Sequence, residues 1–133
     1  MKGNGSTMVK DRDELTRLEW VLMDALWTSK HATASELQKV LEPTQGWAYS
    51  TVKTMLDRLV EMGYAQARKV GNVHEFSPKI KRPKAVGKVV DEMVERLFGG
   101  SVTPLVQHLI EQSEFEKEDI AKLMAILEQY KDQ

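Results

Sequence analysis

Thr51, Thr54 and Arg58 fall at i, i+3 and i+7, so on a helix they form one outward line. Arginine is the usual reader of guanine edges, and threonine meets a base edge with its hydroxyl or a thymine methyl with its own. Tyr49 and Ser50, just before the line, carry hydroxyls suited to phosphates or base edges. Lys53 stands to one side and suits a phosphate. Asp57 and Glu61 are unwelcome beside phosphates, which puts them at the edge, paired with Lys53 or Arg58. This is the chemistry of a surface that reads duplex DNA. A solvated polar face explains the same residues more plainly, so the neighbouring elements must decide.

Other chemistries find little support. The chain has no cysteine, which removes disulfides, thiolate metal sites and cysteine nucleophiles together. It has no glycine-rich phosphate loop and no GxSxG, so no enzyme is expected. His31 and His74 have no carboxylate or second histidine at ligand spacing. His108 has Glu111 three residues on, a pair that is far more often a surface contact than a metal site. Glu114, Glu116, Glu118 and Asp119 crowd the start of a helix, where acids are favoured electrostatically. No metal and no cofactor are expected.

The elements around the polar line settle its context. In Trp47 to Gly63, Val52, Met55, Leu56, Leu59 and Val60 form one apolar helical face, and Gly63 stands where a left-handed stop belongs. Before it, Leu15 to Trp27 opens on a capping box, Thr16 to Glu19, with Leu15 and Trp20 as a hydrophobic staple. Leu18, Val21, Leu22, Ala25 and Leu26 are the expected buried stripe, widened by Trp20, Met23 and Trp27. A second capping box, Thr33 to Glu36, starts a short helix with Ala34, Leu37, Val40 and Leu41 inward, and Pro43 is expected to stop it. Connections of about five and six residues force the three helices to fold on one another. Beyond Gly63, Tyr64 to Arg68 and Val73 to Phe76 flank a turn at Val70-Gly71-Asn72, a hairpin signal. Helix, helix, helix, hairpin is the order of a winged helix-turn-helix, whose third helix enters the major groove while the wing touches the flanking backbone.

Pro83 suits a first helical turn. From Val86 an apolar stripe runs at 86, 89, 90, 93, 94 and 97, ended by Gly99-Gly100. Pro104 to Gln112 makes a second amphipathic helix. A third begins between Ser113 and Glu116 and carries Ile120, Leu123, Met124 and Leu127. No further element is left to cover these stripes, and a two-fold dimer would do so. The dimer residues expected are Val86, Val90, Met93, Leu97, Leu105, Leu109, Leu123 and Leu127. The alternative is that these helices fold back on their own N-terminal domain. The expected fold is therefore mainly α. Residues 1–12 form a flexible start, 13–82 a winged-helix domain, and 83–133 a three-helix dimerisation region.

Composition agrees with a soluble globular chain of 133 residues, 41% hydrophobic and 29% charged. Its apolar runs are too short to span a bilayer, no secretory signal opens it, and a cytoplasmic location is expected. The net charge of −1 hides an asymmetry. Residues 1–88 hold 15 Lys/Arg against 10 Asp/Glu, and residues 89–133 hold 4 against 10. Lys69, Lys79, Lys81, Arg82, Lys84 and Lys88 cluster in and just after the hairpin, where bases would neutralise phosphates. The low net charge also fits another function for the same fold, a winged-helix module for protein–protein contacts.

Nearly the whole chain from Leu15 onward resembles the penicillinase repressor family, the BlaI/MecI group. The resemblance is carried by Leu18-Glu19-Trp20 with Met23 and Leu26-Trp27. It continues through Trp47-Ala48-Tyr49-Ser50-Thr51-Val52-Lys53-Thr54 into Leu56, Arg58-Leu59 and Met62-Gly63, and through Phe98-Gly99-Gly100 with Leu105-Val106. It implies a homodimeric winged-helix repressor on an inverted repeat of the TACA/TGTA type. DNA contacts would fall on Ser50, Thr51, Thr54 and Arg58, with Lys69 on the backbone. Ser50 stands where some members carry lysine. Members that respond to β-lactams are cut at an Asn-Phe bond; the corresponding bond here is His108-Leu109. Copper-responsive members carry paired cysteines, which this chain lacks. The expected partners are an operator duplex and a second copy of the chain, with no membrane. The inducer and any inactivating protease are unknown from the sequence.

Overall fold

The computed structural model describes residues 14–112 and 115–131. The flexible start expected over residues 1–12 lies outside the described residues, as do Ser113 and Glu114. The chain forms two compact units that divide between Gly87 and Lys88.

The first unit holds α1 (Arg17–Ser29), β1 (Ala32–Thr33), α2 (Ala34–Gln45), α3 (Tyr49–Met62), β2 (Ala65–Val70) and β3 (Val73–Pro78). Both expected capping boxes are formed. Thr16 Oγ1 accepts from the Glu19 backbone N–H at 3.2 Å, and Glu19 Oε1 accepts from the Thr16 N–H at 2.9 Å. Thr33 and Glu36 repeat the exchange at 3.1 and 2.9 Å. Each box satisfies two N–H groups that a helix start otherwise leaves without partners.

The second box also makes a strand. An N-cap residue must be extended, and Thr33 lies at φ −83° and ψ 165°. Extended, Ala32 and Thr33 run antiparallel to β3, with Ala32 opposite Phe76 and Thr33 opposite Glu75. The sheet order is β1-β3-β2, so the expected hairpin is present as β2–β3 and gains a short third strand that was not expected.

Leu22, Met23, Leu26, Leu37, Val52, Leu56 and Leu59 are fully buried together, closed at the sheet end by Phe76 and by Ala85. Two residues of the expected stripes point outward instead: Leu18 is 43% exposed and Val40 58%. On α1 the buried side is set by Leu15, Glu19, Leu22, Met23 and Leu26, so Leu18 lies beyond its edge. On α2, Val40 lies beyond the edge set by Ala34, Leu37 and Leu41.

Pro43 does not end α2, which continues to Gln45; Gly46 ends it, at φ 64°. Only residues 46–48 then lead to α3. Gln38 Nε2 donates to the Trp47 carbonyl at 3.0 Å and ties down that short turn. At the end of α3, Gly63 lies at φ 88°, its N–H bonded to the Val60 carbonyl and the Tyr64 N–H to the Leu59 carbonyl. This paired closure leads the chain directly into β2. By contrast α1 ends on Lys30 at φ 73°, with no glycine to mark the stop.

α4 (Arg82–Phe98) begins in the first unit and continues into the second. Gly99 and Gly100 end it at φ 61° and 91°. α5 (Thr103–Gln112) and α6 (Lys117–Tyr130) complete the chain. Among the described residues after Gly87, only Val94 is buried. No helix among the described residues is long and apolar enough to cross a membrane.

Candidate nucleic-acid interface

α3 presents two faces of opposite character. Val52, Leu56 and Leu59 are wholly buried and Met55 nearly so, which fixes the helix against rotation. On the other side Tyr49, Ser50, Thr51 and Thr54 are exposed and Arg58 is half-buried. Ser50, Thr51, Thr54, Met55 and Arg58 line one shallow surface depression. The outward line expected from spacing is therefore a continuous surface. Lys53 is already occupied: its Nζ donates to both carboxylate oxygens of Asp57 at 3.0 Å. The expected pairing of the edge acid Asp57 is thus found, with Lys53 and not Arg58.

The wing stands beside the start of this helix. A groove is lined by Thr33, Ala34 and Ser35 of α2, Tyr49 and Lys53 of α3, and Asn72, Val73, His74 and Phe76 of the wing. The β2–β3 register places Lys69 opposite His74 and Val70 opposite Val73, all four exposed at the tip, around a turn in which Gly71 takes φ 64°. Glycine tolerates that value at no steric cost.

Sequence reasoning missed the contacts that hold the wing. Arg68 faces Glu75 across the ladder, and its Nη2 donates to Glu75 Oε1 at 3.0 Å. His31 Nδ1 lies 3.2 Å from Glu75 Oε2, linking the α1–α2 connection to β3. The Arg68 hydrogen bond, with His31 adding to it, lowers the Glu75 carboxyl pKa from its ordinary value against a smaller opposing effect of burial. The Arg68–Glu75 pairing was legible, since the two residues are symmetric about Gly71-Asn72. The part of His31 was not, because it depends on β1.

The basic cluster is divided. Lys69, Lys79, Lys81, Lys84 and Lys88 are exposed. Arg82 is turned to α1 instead: its Nε donates to Asp24 Oδ1 at 2.7 Å, and its guanidinium lies 5.9 and 5.8 Å from the ring centroids of Trp20 and Trp27. The Asp24 hydrogen bond raises the Arg82 pKa further above its already high ordinary value. Arg82 is therefore engaged within the protein and is not counted among the phosphate-binding cations.

Of the expected dimer residues, Leu97 and Leu127 are 62% and 67% exposed, and Val90 is also exposed. Val86, Met93, Leu105, Leu109 and Leu123 are half-buried. Val102, Val106, Ile110, Met124, Ile126 and Tyr130 add to the apolar surface of the second unit. His108 and Leu109 lie within α5, His108 exposed. Among the described residues no three His, Asp or Glu side chains converge as a metal site.

The sequence matches the family model described as penicillinase repressor over residues 15–129. It is 26% identical over 120-odd residues to the penicillinase repressor of Bacillus licheniformis, covering 92% of this chain and 96% of that one. It is 21% identical to the methicillin resistance regulatory protein MecI of Staphylococcus aureus, covering 86% and 93%. Among solved structures, it is similar to the monomeric form of Bacillus licheniformis BlaI in complex with the blaP half-operator: identity is 29%, coverage 52% of this chain and 84% of that one, and the TM-score 0.46.

Proposed function

The chain belongs to the penicillinase repressor family, and from that premise we propose that it is a sequence-specific transcriptional repressor acting as a homodimer on a palindromic operator. One observation carries the reading of the DNA surface: Thr51, Thr54 and Arg58 share an outward face on a helix whose opposite face is locked into the core. A base-reading side chain must be held in place, since bidentate contacts tolerate little misplacement. In this reading Arg58 reads a guanine edge and Thr51 and Thr54 meet neighbouring bases. Tyr49, Ser50 and the wing's Lys69 hold phosphates, which fixes register without specifying sequence, while Lys53 lies beside the backbone with its charge balanced by Asp57.

In this reading the winged-helix unit binds DNA and the helices from α4 onward dimerise, the expected boundary at 82/83 falling at the start of α4, a few residues before the two units divide. Val86, Val90, Met93, Leu97, Leu105, Leu109, Leu123 and Leu127 pack against the same residues of a second copy. The number of large apolar side chains left exposed on α4, α5 and α6 supports this, because a monomer seldom leaves so much apolar surface to water unless it is an interaction site. Two copies related by a two-fold axis match an inverted repeat of the TACA/TGTA type, with half-sites about one helical turn apart. A repressor of this kind works where the genome is, in the cytoplasm.

The test is fluorescence anisotropy with a labelled TACA/TGTA inverted repeat and a scrambled duplex of equal length, at low and moderate salt. The repeat is expected to bind with a Kd on the order of 10 nM and the scrambled duplex about a thousandfold more weakly. Equal affinity for both duplexes at every salt concentration refutes the function. Selection from a random duplex pool then defines the operator base by base.

A further inference from the structure

We propose that Arg82 is a positioning residue for two-site recognition: its clamp on α1 fixes where α4 leaves the winged helix, and so sets the half-site spacing that the dimer accepts. The proposal rests on the dimeric reading above. Arg82 is the first residue of α4, the helix through which the chain passes from the first unit to the second. It is held at once by an ion pair to Asp24 and by two indole faces. Trp20 and Trp27 lie 5.8 Å apart between centroids, tilted at 45°, so the guanidinium meets a preformed aromatic pair. Two residues earlier the Trp27 Nε1–H donates to the Ile80 carbonyl at 2.9 Å. Three residues later Ala85 is wholly buried in the core. All the partner side chains belong to α1, which Leu22, Met23 and Leu26 anchor in the core.

The arrangement adds little to stability, because both members of the ion pair are about half exposed and such pairs contribute little. Its leverage comes from its place. A planar guanidinium that is paired with a carboxylate and lies over two aromatic rings is fixed in direction as well as distance, which an ammonium is not. Two linked binding units gain most when the linkage matches the span between their sites, and the gain falls as the linkage loosens. A helix released at its root samples a wider span, so the best spacing weakens and poor spacings are forgiven.

The experiment uses the full chain, a duplex with one half-site, and a series of duplexes whose two half-sites are moved apart or together base pair by base pair. The wild-type protein is expected to show a sharp optimum, about tenfold tighter than neighbouring spacings. Arg82→Ala keeps its half-site affinity, loses about tenfold at the best spacing, and varies by under about threefold across the series. Asp24→Asn, which leaves the contacts with the two indoles in place, flattens the series in the same direction but less. A wild-type optimum that Arg82→Ala retains overturns the clamp and leaves the dimeric reading standing. Absence of any optimum in the wild type overturns both. Loss of half-site binding in both variants makes this corner part of the DNA surface or of the fold, and likewise overturns the proposal.

Discussion

Replacing Asp57 by asparagine tests whether the Lys53–Asp57 pair lies at the DNA. In the free protein Lys53 Nζ donates to both Asp57 oxygens at 3.0 Å, one turn apart on α3. The side chains are 36% and 59% exposed, so the pair stabilises the helix by only about 0.3–0.5 kcal/mol. Asp57→Asn keeps the shape and gives up that small amount. Against a phosphate backbone the effect is larger and of opposite sign. Paired, the two side chains present no net charge; with asparagine the site presents one free cation. One further phosphate neutralised steepens the plot of log affinity against log salt by about 0.9. Extrapolated to 1 M salt the affinities meet; at 0.1 M the variant binds about eightfold tighter per protomer, and at 0.2 M about fourfold. Counterion release carries no sequence information, so half-site and scrambled duplexes gain alike. The assay is anisotropy on a half-site duplex across a salt series, with a urea melt as the stability control. A slope equal to that of the wild type would falsify the placement of the start of α3 against the backbone.

Arg58→Ala is expected to cost about 1–3 kcal/mol of specific affinity while barely changing binding to scrambled duplex; Lys69→Ala instead lowers the salt slope by about one on both. Equal losses in Arg58→Ala on both duplexes would contradict a base-reading role. Leu97→Glu combined with Leu127→Glu places charge on two of the most exposed apolar positions of the second unit, and sedimentation should then show monomers that keep half-site binding; persistence of the dimer would move the interface elsewhere. Lys30→Gly removes a side chain from a backbone at φ 73°, and should raise stability by roughly 0.5–1 kcal/mol in urea melts, since glycine adopts that region freely; a loss would mean that the conformation is not strained. Because Arg68 and His31 lower the Glu75 pKa from its ordinary value, its contribution is complete above that ordinary value and is lost as pH falls through its own lowered pKa. Carboxyl chemical shifts should place the Glu75 midpoint below that of an exposed glutamate, and Arg68→Gln should raise it; an unmoved midpoint would remove Arg68 as the cause.

The helices were legible because their signals are local. The threonine–glutamate spacing of both capping boxes, the period of Val52, Met55, Leu56 and Leu59, and the stop at Gly63 need no distant partner, and all are present in the structure. The hairpin was legible for the same reason, through Gly71-Asn72 between short extended runs. Periodicity was less reliable at the margins of each stripe. Leu18 and Val40 have the right residue type, but which neighbouring row is covered depends on where the other helices cross. Pro43 does not stop α2: its missing N–H costs one helical bond, but the chain keeps helical geometry to Gln45, and the stop comes at Gly46, where φ turns positive and the N–H bonds the Glu42 carbonyl.

By itself, then, the sequence determined the order of elements, the two faces of α3 and the residues on its outward line, since these follow from spacing along a single helix. Tertiary structure decided which charged groups are available to a ligand. Lys53 is held by Asp57, Glu75 by Arg68 and His31, and Arg82 by Asp24 and against two indoles. Apart from the i,i+4 pair on α3 and the Arg68–Glu75 pair across the wing, these contacts join residues far apart in the chain. His31 reaches Glu75 through the strand that an N-cap created, and Arg82 reaches Asp24 because α4 starts against α1. A side chain's type and spacing state what it is able to do; the fold decides which of those capacities are already engaged.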